Sequence, residues 1–348
     1  MINVKRQSDP TPAPEVTIRP VPSTTLLRGV SRSFYLSIRV LPAGLRTPIA
    51  AAYLLARATD TVADTAHVAR AERHRLLTTL AAAVDAQPLP AGSVEKLVAT
   101  LAPQQHDAAE RALILALPAC LAALEPLDPG DQADIRSLMR TITSGQLLDL
   151  ERFSSVQTPV ALASDAELLD YTWRVAGCVG EFWTDLCVRH VGDFADLPAS
   201  EMRAIGRDFG MGLQLINILC DAGADLAAGR CYFPADALAQ ARLEPASVQR
   251  QPERFMPLYR HWIQEADQRM DSGLRYAMAV RSRRVRAACA LPALLGKRTL
   301  ALLREAGPAA LRQRVKVPRS EVRHILWRMA ITLAGRESLA RQVQQLAS

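Results

Sequence analysis

Two stretches of the chain set polar groups at helical spacing into a strongly apolar background. From Met211 to Cys220 the residues Leu213, Leu215, Ile216, Ile218 and Leu219 are apolar, and Gln214, Asn217, Asp221 and Asp225 run along one edge. At about 100° per residue those four fall within a roughly 80° arc, which predicts a helix buried on its remaining sides. Upstream, the helix-forming run Ala50-Ala-Ala-Tyr-Leu-Leu-Ala56 carries Tyr53, and Arg57, Asp60 and Asp64 continue its face. Their spacing confines them to an arc of about 60°.

The same periodicity extends over most of the chain. Ser31 opens a helix that stops near Leu41-Pro-Ala-Gly44, and a second runs from about Pro48 to Ala66. Helical segments follow near 70–86, 92–102, 107–124 and 131–152, parted by the breaks Gln87-Pro-Leu-Pro90 and Leu127-Asp-Pro-Gly130. Glu167 to His190 reads as one long helix, whose small residues Ala176, Gly177 and Gly180 allow another helix or a ligand to come close. Glu201 to Leu226 carries the second polar edge and ends at Gly229, a C-terminal cap, with Pro234 preventing continuation. Pro245–Met278, Arg281–Glu305 and Ser320–Ala347 complete the set. Alternating apolar runs of period two are absent, so the expected fold is all-α. No linker or fixed-period repeat divides 25–348, which is expected to be one domain behind a disordered tail, 1–24, that holds Pro10, Pro12, Pro14, Pro20 and Pro22.

With 348 residues, 49% of them hydrophobic, the chain can bury a large core. A net charge of +7 favours anionic partners such as diphosphates or anionic lipid surfaces, but no nucleic-acid reader motif accompanies it. The six cysteines lack Cys-x-x-Cys spacing, which suits a reducing cytoplasm and helix packing. The uncharged run Ala112–Leu124 is too short to span a bilayer. The six histidines show no ligand spacing.

Burying carboxylates in a stripe is costly unless cations neutralise them. One Asp-x-x-x-Asp pair is common on solvated helix faces. Two such pairs with apolar flanks, Asp60/Asp64 and Asp221/Asp225, can instead face each other and clamp Mg²⁺ on a diphosphate, with Arg57 donating to phosphate oxygens. Two other readings stay open on these residues. A non-catalytic helical scaffold would leave both pairs in solvent. A class I terpene cyclase is loosely matched by Asn217-x-x-x-Asp221-x-x-x-Asp225, but Thr59-Asp60-Thr61 lacks the adjacent Asp pair of its first motif. Tyr171 is open between a packed core residue and a site residue, as is Asp149 between a helix-surface acid and a site residue. The cluster Arg281, Arg283, Arg284, Arg286 reads as a solvated face.

Several segments together resemble the squalene/phytoene synthase family: Ser31-Arg-Ser-Phe34, Arg57-x-x-Asp60-Thr-Val-Ala-Asp64, Tyr171-Thr-Trp-Arg-Val-Ala-Gly-Cys-Val-Gly180 and Gln214-x-x-Asn217-Ile-Leu-Cys-Asp221-Ala-Gly-Ala-Asp225-x-x-x-Gly229-Arg230. The segment around Gly145 and Asp149 matches a further helix of that family that lines its pocket. Val175–Gly180 and Val315-Lys-Val-Pro-Arg-Ser-Glu321 are more similar to its squalene synthase branch. The resemblance implies an isoprenoid-synthase helical domain whose cavity takes two farnesyl diphosphates, with Mg²⁺ on Asp60, Asp64, Asn217, Asp221 and Asp225. It places Ser31, Arg32, Ser33, Phe34, Arg57, Gln214 and Arg230 at the diphosphates and Tyr171 near the reacting carbons. It also implies NADPH near Lys316 and Arg319. A monomer is expected, in the cytoplasm, with peripheral contact at the inner face of a membrane because the product is insoluble in water. A phytoene, dehydrosqualene or presqualene-diphosphate synthase would use the same acidic pairs without the reductive step. Cys220 departs from the family, where an Arg often precedes the second motif; a phosphate contact is lost there, or another base such as Arg207 or Arg230 supplies it.

Overall fold

Helix follows helix in this computed structural model, which describes residues 24–31, 34–153, 158–331, 335–338 and 341. The α-helices among them are α1 (Thr24–Ser31), α2 (Phe34–Val40), α3 (Ala43–Asp64), α4 (Arg70–Val84), α5 (Ser93–Leu101), α6 (Ala108–Leu115), α7 (Leu117–Ala122), α8 (Pro129–Arg152), α9 (Asp165–Thr172), α10 (Cys178–His190), α11 (Ala199–Ala227), α12 (Ala235–Gln240), α13 (Pro252–Ala279), α14 (Arg283–Ala306) and α15 (Arg319–Ile331). The strands among the described residues are β1 (Val160–Ala161) and β2 (Arg230–Cys231), a parallel pair with Val160 opposite Arg230. The fold is all-α. The expected tail, 1–24, lies outside the described residues apart from Thr24.

The departures from the sequence expectation fall mostly at prolines and glycines. The segment 107–124 is two helices meeting at Ala116, because Pro118 disfavours helical continuation through the residue before it. Pro245 starts only a single 3₁₀ turn, and α13 begins at Pro252, where a missing N–H costs nothing. Conversely, α3 starts at Ala43 and carries Pro48 inside it. Ser31 ends α1 rather than opening a helix. The short α12 has no counterpart in the sequence reading. Gly229 has φ 83°, a conformation in which a Cβ would be strained, so α11 stops where the sequence indicated.

α11 forms the axis of the bundle, packed by α10, α13 and α14. Its buried side chains include Met202, Ile205, Phe209, Leu215, Ile218, Leu219 and Leu226. α13 lays Tyr259, Trp262, Ile263 and Met270 against the same core, each contributing about 1.5–3 kcal/mol by leaving water. The small residues of 176–180 serve this packing. A Cβ on Gly180 would lie 1.9 Å from the Gly206 carbonyl oxygen, and one on Gly210 would lie 2.2 Å from that of Ala176. At this crossing Trp173–Gly177 forms a π-helical turn between α9 and α10. None of the helices among the described residues is long and apolar enough to cross a membrane.

Candidate active site

α3 can approach its neighbours closely because Ala50, Ala51, Ala52 and Ala58 are buried. On its polar face, Asp60 Oδ1 accepts a hydrogen bond of 2.7 Å from Gln146 Nε2 of α8. The same amide nitrogen donates to Thr59 Oγ1 at 3.1 Å. Burial pushes the Asp60 carboxyl up to about 7, helped by the Asp64 charge and opposed by Arg57. Asp64 sits at the mouth of the face. Burial of its surroundings raises its pKa too, while Arg230, Arg57 and Arg73 hold it down. Arg57 does not point free into the cavity. Its Nε donates to Glu110 Oε1 at 2.9 Å, and Glu110 also accepts from Thr61.

On α11 the second pair is neutralised from outside the helix. Asp225, 9% exposed, accepts from Arg230 at 3.1 Å (Nε) and 2.7 Å (Nη2). β1–β2 pairing fixes the backbone at Arg230. Burial raises the Asp225 pKa and the Arg230 charge opposes it. Both oxygens of Asp221 are engaged by Arg314, with Nε 2.9 Å from Oδ1 and Nη2 3.0 Å from Oδ2. Asn217 Nδ2 donates to Gln214 Oε1 at 3.3 Å. The Asp64 charge reaches Asp225, and Arg230 acts on both, so the two acidic pairs feel one another electrostatically.

A third wall comes from α8 and α9. Tyr171 stacks on Tyr232 with ring centroids 5.0 Å apart, and Tyr232 donates to Asp149 Oδ2 at 2.5 Å. Burial lifts Asp149 to about 7 against the Tyr232 hydrogen bond, and drives the Tyr171 hydroxyl well above its ordinary pKa. Asp149 is therefore turned to the protein interior, toward Tyr232, and is not a solvated helix-surface acid. Thr143 Oγ1, Gln146 Oε1 and Asp149 Oδ1, spaced three apart on α8, are buried with no hydrogen-bond partner. Buried polar atoms are rarely left so without a ligand or solvent to satisfy them. The donor set is all hard oxygen, and the Cys220 thiol beside it is pushed up to about 11 by burial, so the site suits Mg²⁺ better than a thiolate-seeking metal. Among the described residues no three His, Cys, Asp or Glu converge on one point. The carboxylates come as facing pairs, which leaves coordination positions for oxygens of a diphosphate.

Toward the N-terminus of α11 the same face turns apolar through Leu213, Gly210 and Gly206. There it borders a cavity of about 190 Å³ lined also by Val179, Trp183 and Tyr276.

The charges of Asp60, Asp64, Asp225 and Arg230 act on one another, Gln214, Asn217 and Asp221 share the edge of α11 that carries Asp225, and the Asp60 charge reaches Tyr171. Ser31 is buried, with its hydroxyl donating to Leu27 O at 2.5 Å, and Tyr53 reaches the adjacent Val30 carbonyl at 3.3 Å. Arg32 and Ser33 lie outside the described residues, as does the side chain of Phe34. Arg207 is not at the site: it lies about 21 Å along α11 from Asp221 and faces Glu181 at 3.7 Å. Lys316 and Arg319 are exposed on the segment that carries Arg314. Of the Arg281 cluster, Arg286 is buried and donates to Val280 O at 2.9 and 2.7 Å, which corrects the solvated-face expectation at that position. Sequence reasoning missed Glu110, Gln146, Tyr232 and Arg314. Gln146 had a usable signal, a polar residue three before Asp149 among Leu147, Leu148 and Leu150.

Comparison with known proteins bears on the family and the fold. The sequence profile described as Squalene/phytoene synthase matches residues 27–321. A bifunctional lycopene cyclase/phytoene synthase of Gibberella fujikuroi is 29% identical over 237 residues, 67% of this chain and 38% of that protein. The chain therefore spans well under half the length of this curated relative. Among solved structures, a complex of TcSQS with the ligand E5700 superposes with a TM-score of 0.75 at 20% identity, covering 93% of this chain and 88% of the other. The squalene synthase HpnC of Alicyclobacillus acidocaldarius gives a TM-score of 0.55 at 20% identity, covering 81% and 92%.

Proposed function

The chain belongs to the squalene/phytoene synthase family, and from that premise we propose that it condenses two farnesyl diphosphates head to head (1′-1), through presqualene diphosphate to squalene, with Mg²⁺ and with NADPH for the final reduction. One observation carries the reading: Asp225 is buried against Arg230, whose charge also acts on Asp64 of the first pair, so the two acidic pairs share one electrostatic neighbourhood. A solvent-exposed scaffold would not hold Asp225 buried against an arginine. The first motif also lacks the adjacent Asp pair of class I terpene cyclases.

Asp60, Asp64, Asn217, Asp221 and Asp225 would hold magnesium, whose chemistry is to neutralise the departing diphosphate. Arg230, already beside Asp225 and Asp64, is positioned to bind phosphate oxygens as its carboxylate partner turns to the metal. The apolar cavity keeps water from the allylic cation, so the C2–C3 double bond of the second chain attacks it first. Loss of one proton closes the cyclopropane, and the departing diphosphate accepts it. Tyr171 stays protonated at neutral pH, and its ring can face cationic charge. Its hydroxyl is 3.5 Å from that of Tyr232, which leads to Asp149 and offers a proton route.

For the reductive half, exposed Lys316 and Arg319 would hold the phosphates of NADPH, which would supply the hydride. The second reading omits that step: a phytoene or dehydrosqualene synthase, favoured by the phytoene synthase name of the curated relative, needs no NADPH. Exposed Trp327 (62%) and Ile331 (60%), four apart on α15 beside exposed Arg323, support peripheral contact of a cytoplasmic monomer with an anionic membrane. Sedimentation with anionic against neutral vesicles tests that contact.

The decisive experiment incubates the protein with farnesyl diphosphate and Mg²⁺, with and without NADPH, and identifies lipids by mass. Squalene appearing only with NADPH supports the full reading. Presqualene diphosphate in both samples limits the enzyme to the first half-reaction, and dehydrosqualene in both moves it to the carotenoid branch. No product from either farnesyl or geranylgeranyl diphosphate overturns the catalytic reading.

A further inference from the structure

We infer that an open cavity of about 770 Å³, lying beyond the start of α11 and away from the acidic pairs, binds a phosphate group, whether of an anionic phospholipid headgroup or of free phosphate. The site is independent of the catalytic reading. Its Asp196 precedes α11, whose first residue, Ala199, lies about 33 Å along the helix from Asp221. Backbone pairing builds its floor. Ala195 and Val280 form an antiparallel bridge, Arg281 N donates to Phe194 O at 2.9 Å, and Asp196 N donates to Ala279 O at 3.0 Å. These bonds clip the α10–α11 loop to the α13–α14 turn and set Arg281, Arg283 and Arg286 beside Asp196. The chain after α15 adds Arg336 and Arg341 to the same wall.

The wall thus carries five guanidiniums against two carboxylates, the second being Glu337. Asp196 is already shared, accepting from Arg281 Nε at 2.6 Å and from Arg336 Nη2, while Arg281 also meets Asp193 at 3.3 Å. Arg283 and Arg341 meet no carboxylate among the described residues, and Arg336 Nε is buried with no hydrogen-bond partner. Arg286, 7% exposed, donates to Val280 O at 2.7 Å and to Arg281 O at 3.0 Å. Burial lowers its pKa, and the charges of Arg336 and Arg283 lower it further against the pull of Asp196. A guanidinium keeps its proton at neutral pH, so the fold holds these like charges together at a cost. A phosphate offsets that cost and offers its oxygens to the planar forks. The cavity also leaves room for the organic group that carries the phosphate. α15 ends at Ile331, four residues before Gly335 of the same wall, and exposes Trp327 and Ile331. Four residues span at most about 14 Å, so those side chains entering an acyl boundary would hold the cavity at headgroup level.

Two arms test the site on the full chain, without magnesium and with chelator present. Calorimetry titrates inorganic phosphate, and sedimentation measures capture by phosphatidylcholine vesicles with and without phosphatidic acid. Wild type is compared with the double variant Arg283→Gln/Arg341→Gln and with Arg250→Gln/Arg260→Gln, an equal loss of exposed charge far along α13. The cavity pair should weaken binding about five- to tenfold, the size of charge-assisted hydrogen bonds discounted for exposure. The control pair should change it by less than about twofold. A selective loss of vesicle capture assigns the phosphate to a lipid headgroup, and a selective loss confined to calorimetry assigns it to a free ion. Wild type binding neither probe, binding that the cavity pair leaves unchanged, or an equal loss in the control pair overturns the inference. Turnover of farnesyl diphosphate should be the same in all three proteins, so that failure here leaves the proposed function standing.

Discussion

Asp149 is the most exacting place to test the electrostatics of the cavity. Its carboxyl rises from an ordinary 3.8 to about 7, chiefly through burial and against the hydrogen bond from Tyr232. A folded-state pKa above the unfolded one means that the native protein holds this proton more tightly. The associated stability is fully present below the unfolded pKa and is lost as pH rises through 7. At 1.36 kcal/mol per pH unit the whole loss is about 4 kcal/mol. Asp149→Asn removes the titration, keeps an oxygen for the Tyr232 hydroxyl, and gives up about 1 kcal/mol of charge assistance. Asp60 titrates in both proteins and cancels from the comparison. In urea unfolding with chelator present, the variant should gain on wild type by about 3 kcal/mol between about pH 5 and about pH 8.5. It should be the more stable protein at the upper pH although its turnover falls. A gap that does not change with pH, or a variant less stable at about pH 8.5, would refute the claim that this carboxylate is buried at a cost.

Three further outcomes follow from the same coordinates. Gly180→Ala places a methyl where the Gly206 carbonyl stands, 1.9 Å away, and cannot be relieved without parting α10 from α11; urea unfolding should show a loss of about 3 kcal/mol or more. Trp183→Ala enlarges the apolar cavity and should raise the kcat/KM ratio of geranylgeranyl to farnesyl diphosphate by roughly tenfold, read from paired substrate assays. Because Asp60 titrates at about 7, magnesium must displace a proton below that pH; calorimetric affinity for Mg²⁺ with pyrophosphate should fall by up to about tenfold per pH unit below 7, with proton release seen as a buffer-dependent heat.

How much of this was legible in the sequence depends on how far apart the interacting residues lie. The polar edges of α3 and α11 are local facts, spacings of three and four within a helix, and they name the residues that the fold gathers at the cavity. The end of α11 at Gly229 is local as well. What escaped were the partners: Gln146 reaches Asp60 across 86 residues, Glu110 reaches Arg57 across 53, and Arg314 reaches Asp221 across 93. Helical periodicity says which side chains share a face but not which face meets which. Asp149 shows the limit clearly, since its spacing fits a solvated helix surface and a cavity wall equally. Tyr232, standing on a short loop after β2 with no periodicity to flag it, decides the matter.

Those long-range partners also set the order in which the site can fill. Asp221 and Asp225 each have a guanidinium directly on them, whereas Asp60 has only an amide, and the nearest arginine, Arg57, is committed to Glu110. The carboxyl left raised to about 7 is thus in the first motif, where uncompensated charge remains. A divalent cation gains most by entering beside Asp60 and Asp64, where it need displace only a proton. At the second motif it must first separate two ion pairs, and that separation becomes favourable once a diphosphate offers the freed arginines new acceptors. If magnesium binds here as proposed, the asymmetry would favour its entry at the first motif. A bare cation would then leave Arg230 and Arg314 on their aspartates, and commitment of both motifs would wait for the diphosphate that the chemistry consumes.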